Sequence, residues 1–401
     1  MKFIILNIFL AVVLLVTGCS ADRSFNSRLQ QTVSPYLFSI AGWEVSTLVD
    51  EVEGWLSGGQ PETGDETDTV ITYYNYVNQI RTLKSELEIA GVNNEREDLS
   101  SAEKELAELE DKKEALADTV ESILEKQIKS ILVREGIDSP VTSSNSSFPP
   151  FIFRLEKLPD LLVVSPRDRI ESMRELTLKP GLPVEQKESI EKDVDRLGVS
   201  SLVTEIGGIA TYPSLVGSES SLRSTIIIAT EEWLHQYLVF KPLGFRYLLD
   251  VTGISRDYDI TTMNETLVGI VSKEIGSLVL DEYYAGYQAG TGRSSGSGFD
   301  FNLEMREIRK TVDEYLSRGK IDQAEEFMEQ KRLYLASNGY FIRKLNQAYF
   351  AFHGAYADRP AFENPIGVEL RELRQKSASL SDFLDTAAAM TSRQDLAISI
   401  R

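Results

Sequence analysis

The chain has 401 residues, with Lys+Arg 42 against Asp+Glu 62 and a formal net charge of −20. Such an acidic balance argues against nucleic acid and against an anionic membrane surface as partners, because the summed field repels both. The hydrophobic fraction of 42% is that of a globular protein, and the single cysteine, Cys19, excludes internal disulfides and cysteine metal clusters.

In chain order, Lys2 opens a short positive region, and Phe3 to Thr17 is apolar apart from Asn7. An apolar run of about 15 residues reads as a secretory signal, too short to span a bilayer. Val16-Thr17-Gly18-Cys19 resembles a bacterial lipobox. The resemblance implies a signal peptide over 1–18, lipidation of Cys19, and an extracytoplasmic protein held to a bacterial membrane by its acyl chains. Ser20, where an aspartate would retain the protein at the inner membrane, implies the outer membrane in a cell that has two. Residues 19–31 read as a polar tether.

Residues 32–139 read as a helical region. Leu37, Ile40, Val45, Leu48 and Val52 fall near one face of a helix running from Val33 to about Trp55, which Ser57-Gly58-Gly59-Gln60-Pro61 breaks. A second helix is expected from Asp68 to about Ala90. Beyond a turn at Gly91 to Asn94, Leu99, Ala102, Leu106, Leu109, Leu116, Val120 and Ile123 step by threes and fours, with Lys113 the one polar seam position. The two helices are expected to fold back as a coiled-coil-like antiparallel hairpin, either a packed arm or a docking arm for a protein partner.

Pro140 to Pro150 is Ser/Pro-rich and marks a boundary. Beyond it, residues 149–401 mix strands and helices. Strands are expected at Phe151–Leu155, Leu161–Val164, Ser201–Val203 and Gly208–Tyr212, and a charged helix at Pro183–Leu197. The Gly/Ser-rich stretch Ala289–Gly298 lacks the ending of a phosphate loop and reads as a loop. Phe301 to Phe350 is again helical, and the tail around Leu380–Leu384 reads as a last short helix.

The chemistry-bearing stretch is Glu231-Glu232-Trp233-Leu234-His235, on an expected helix. Glu231 and His235 are four apart, so they share a face and can grip one ion together. Glu232 is turned from them by about 100°. A third ligand must come from elsewhere: Glu265, in Met263-Asn264-Glu265-Thr266-Leu267, stands first, and Glu274 second. The alternative is that these are ordinary polar residues of a half-exposed helix. Thr230 to Gly244, Asn264-Glu265-Thr266 and Lys273-Glu274-Ile275-Gly276 together resemble the gluzincin group of exported metallopeptidases.

The resemblance implies an α+β, mostly helical, zincin-like metallopeptidase domain over about 149–401, behind the N-terminal helical hairpin. It implies one divalent metal, zinc by family, held by His235, Glu265 and the residue at position 231. It makes Glu232 the general base that takes a proton from the metal's water and passes it to the leaving amine of a peptide or protein substrate. Glu231 stands where the family has a histidine. A site of two carboxylates and one imidazole favours Mn²⁺ or Ca²⁺ relative to zinc and acidifies water less. The expected function is therefore a lipid-anchored metallopeptidase-like protein or, alternatively, an inactive homologue serving envelope binding or scaffolding. Tyr349 and His353, four apart, are candidates for the oxyanion donor that such peptidases carry, or form a packed helix end stopped by Gly354. Gly207 to Tyr212 is either a core strand or the edge on which an extended peptide could lie.

Overall fold

The computed structural model describes residues 23–38, 66–93, 99–137, 149–252, 254–255, 257–287, 299–354 and 365–401. The leader, Cys19, the expected helix beyond residue 38, most of the Ser/Pro-rich segment and the Gly/Ser-rich loop lie outside them. Fourteen α-helices and six strands among the described residues make a mostly helical α+β protein. No described helix is long and apolar enough to cross a membrane.

The first helix corrects an expectation. From Arg23 the stretch read as a tether is helix α1 (Arg23–Val33). Phe25, Leu29 and Val33 recur at every fourth position and form one apolar stripe, buried against Leu162, Leu178 and Ile190. Three apolar residues at helical spacing outweigh a polar average composition. A 3₁₀ turn at Ser34–Tyr36 follows, and Leu37 bridges to Leu178.

Helices α2 (Glu66–Asn93) and α3 (Leu99–Glu114) pack together, with Lys84 and Glu110 paired at 3.0 Å. The seam expected to run unbroken to Ile123 stops at Ala115 and Leu116. There the Leu116 N–H turns to the Lys113 carbonyl, and α4 (Ala117–Arg134) begins. The break lets α4 leave the hairpin. Val120, Leu124, Ile128 and Ile131 of α4, and Val70, Tyr73, Tyr74 and Val77 of α2, join the largest core, shared with the helices that carry the candidate ligands.

Two three-stranded sheets follow. Strands β2 (Asp160–Pro166), β3 (Arg174–Leu178) and β4 (Val199–Glu205) form an antiparallel sheet in the order β3-β2-β4, with Leu162 between Leu176 and Val203. Helices α1 and α5 (Val184–Asp195) build a core on it. The second sheet runs β1-β6-β5, with β1 (Phe153–Glu156) parallel to β6 (Ser214–Gly217) and β5 (Gly208–Ile209) antiparallel to it. Its two outer strands are treated differently. Along β1, Glu121 accepts the Leu155 N–H at 2.7 Å and Glu125 accepts the Phe153 N–H at 2.9 Å, so carboxylates from α4 close that edge. On the other side β5 is an edge strand of the sheet.

Three helices then build the site region: α6 (Leu222–Leu238), α7 (Pro242–Val251) and α8 (Tyr258–Tyr283). Ser221 caps α6 and Asp257 caps α8, each accepting a backbone N–H of the first turn, at 3.2 and 3.3 Å. Helix α6 is moored on its core side by Trp233, buried, whose indole N–H donates to the Pro149 carbonyl at 2.9 Å. It crosses α8 closely: a Cβ on Gly276 would lie 2.7 Å from Ile227 Cγ1, so any side chain there would force Ile227 to shift. Further along, α9 (Phe301–Ser317) and α10 (Ile321–Ser337) pair around Met305, Ile308 and Met328. Helix α11 (Gln347–Gly354) lies on β2 and β4, and α12 (Pro365–Lys376), α13 (Leu380–Ala388) and α14 (Arg393–Ser399) complete the main core.

Candidate metal centre

The crossing of α6 and α8 sets Glu231 and His235 opposite Glu265. One ligand atom from each of the three lies within 4.8 Å of the others. His235 Nε2 stands 3.6 Å from Glu265 Oε2, and both side chains are about one-tenth exposed. Two ligand atoms at 2.0–2.1 Å from a tetrahedrally held ion are about 3.3 Å apart, so this spacing needs little change to accept one. The other imidazole nitrogen, His235 Nδ1, is buried with no hydrogen-bond partner among the described residues. One imidazole nitrogen facing two carboxylates is a donor set that suits a divalent cation.

Charge tells the same story. Burial opposes a proton on His235, but Glu265, Glu232 and Glu231 outweigh it and push the imidazole up to about 9. Burial also raises Glu232 to about 8; His235 opposes that rise, while Glu231 and Glu265 add to it. Three carboxylates and one imidazole are thus short of positive charge, and the protein answers by retaining protons.

Glu232 leaves the ligand face, as a one-residue step around a helix requires. It lies against strand β5: a Cβ at Gly208 would come within 2.5 Å of Glu232 Oε1 and 2.6 Å of Ile228 Cγ2. Glycine at 208 therefore makes the seat for this carboxylate on the backbone of an edge strand. Helix α6 is tied to the same sheet by Gln236, whose side-chain amide donates to the Thr211 carbonyl at 2.6 Å and to Ser214 Oγ at 2.7 Å.

The other residues singled out in the sequence stand elsewhere. Glu274, two and a half turns along α8 from Glu265, is gripped by the Arg374 guanidinium at 3.0 and 2.5 Å. His353 lies outside the convergent group; its ring is 4.3 Å from that of Tyr349, on α11 against the β3-β2-β4 sheet. Cys19 lies outside the described residues.

One residue of the site had no signal in the motif. Tyr247, on α7, stacks on the His235 ring with centroids 5.4 Å apart and planes 20° from parallel. Its hydroxyl donates to Glu265 Oε1 at 2.5 Å. The one sequence hint is position: α7 starts at Pro242, a favoured first helical residue, directly between the two ligand helices. No family model, curated protein or solved structure matches the chain.

Proposed function

We propose that the chain is a lipid-anchored, extracytoplasmic metallopeptidase-like protein of gluzincin type, with Glu231, His235 and Glu265 as the metal ligands and Glu232 as the general base. The observation that carries this reading is the convergence of the three side chains, from two separate helices, at ligand spacing. When bound there, a divalent cation would supply Lewis acidity to a peptide carbonyl and to water. Glu232, one helix step from the ligands and seated on Gly208, is placed to take a proton from water at such a cation and to hand it on. The neighbouring edge strand β5 supports an extended peptide as substrate, laid alongside by backbone hydrogen bonds and so brought past Glu232. Lipidation at Cys19 rests on the lipobox-like sequence.

Glu231, in the place of the family's first histidine, favours a second reading: a non-catalytic relative that keeps the site and serves binding in the envelope, with the α2–α3 hairpin as a partner surface. Glu232→Gln separates the two. For a peptidase it abolishes hydrolysis of an unstructured protein substrate while leaving bound metal unchanged. A variant as active as the parent would remove Glu232 from the chemistry.

A further inference from the structure

We infer that Tyr247 is a positioning residue built to make a two-carboxylate site behave as a one-carboxylate site. The inference rests on the metal reading above and goes beyond it, because neither the resemblance carried by Glu231 to His235 and Glu265 nor the spacing of those ligands involves α7. The geometry is specific. Helix α7 packs against both α6 and α8. From it Tyr247 touches a ligand on each: the face of its ring covers His235, and its hydroxyl donates to Glu265 Oε1.

Two consequences follow. The donated hydrogen bond occupies Oε1 and leaves Oε2, the oxygen 3.6 Å from His235 Nε2, as the atom turned to the ion. Glu265 would thereby bind a cation through one oxygen. That would keep the coordination number low, which suits zinc or cobalt and disfavours the six to eight oxygen ligands that calcium takes. The hydrogen bond also draws negative charge away from Glu265. Glutamate at 231 adds a full negative charge relative to a histidine, and the Tyr247 hydroxyl offsets part of it at the neighbouring ligand. The stacked ring meanwhile fixes the plane of the imidazole. Outer partners of this kind set ligand direction and basicity, and losing one costs about ten- to a hundredfold in metal affinity.

The test uses Tyr247→Phe, which keeps the stacked ring and removes only the hydroxyl. Purified parent and variant are loaded with Co²⁺ and with Zn²⁺ in competition with a chelator, and the visible Co²⁺ spectrum is recorded per bound ion. We expect the variant to lose Zn²⁺ affinity about tenfold or more. Its Co²⁺ absorption should weaken as Glu265, freed at Oε1, binds through both oxygens. The melting temperature of the metal-free protein should be nearly unchanged, and a packing role alone would not alter the spectrum of the ion that is bound. Equal affinity and an identical spectrum would overturn the role of Tyr247 while leaving the metal site standing. A parent protein that binds neither ion would overturn the metal reading itself, and this inference with it.

Discussion

Glu265 and Glu274 lie on the same helix, nine residues apart, and are used in opposite ways. Glu274 meets a cation that the protein itself provides: Arg374 grips both its oxygens from α12, at a partly exposed surface. Glu265 is buried and meets a phenol and an imidazole. The first arrangement is complete and holds α12 to α8. The second gathers further carboxylates, Glu231 and Glu232, around one histidine, and raises the proton affinity of that histidine. A carboxylate closed by arginine is a structural tie; carboxylates converging on an imidazole are the arrangement on which the proposed metal site rests.

Removing each charge in turn separates the two carboxylates. Glu265→Gln should abolish stoichiometric metal binding, measured by elemental analysis after dialysis. Equal metal content in Glu265→Gln and the parent would erase the distinction. Next in size is Glu231→His, which restores the family's first histidine. It should raise zinc affinity by at least about tenfold, roughly 1.4 kcal/mol, in chelator competition. No gain would mean that the side chain at 231 does not face the ion.

A change of pH should then act on the metal site through His235. Its pKa is raised, so the metal-free protein holds the proton below about 9 and a bound cation must displace it. Metal affinity should climb by about tenfold per pH unit towards pH 9 and level off above it. In the absence of metal the sign reverses. The stability that His235⁺ gains from its carboxylates is fully present below its unfolded value of 6.5 and is lost as pH rises through about 9. Flat metal affinity from pH 6 to 9 would contradict this. The smallest effect belongs to Glu274→Gln. It should leave metal binding untouched and cost about 0.5–1 kcal/mol of stability by chemical denaturation, since the pair with Arg374 is partly exposed.

The sequence was most legible where a spacing maps directly onto one element. The four-residue step from Glu231 to His235 needs only a helix, and α6 is one. The strands at Leu161–Val164 and Ser201–Val203 were readable as apolar runs because both lie in the middle or against the packed face of a sheet. Strand β3 was not readable: Arg174–Leu178 is mostly half-exposed, and its alternation is diluted by charge. The seam of α3 continued in sequence into α4, but the chain turns at Ala115–Leu116, and from Ala117 on α4 joins the main core.

At the site, the pairing of Glu265 with His235 depends on how two helices cross, and the crossing depends on Gly276 admitting Ile227. Spacing along the chain holds no record of that. Tyr247 was hidden for the same reason, since a residue on a third helix becomes part of the site only when α7 folds against both others. The seat of Glu232 on Gly208 was half legible: the glycines were visible as a strand edge, and their fit to a carboxylate was not.

Elemental analysis of the purified protein, set beside His235→Ala, asks whether Glu231, His235 and Glu265 hold a divalent cation. One divalent ion per chain is expected in the parent and a small residue of that in the variant, with both proteins folded by circular dichroism. A folded parent without metal after incubation with Zn²⁺, Mn²⁺ or Ca²⁺, or a variant that retains a full equivalent, would contradict it.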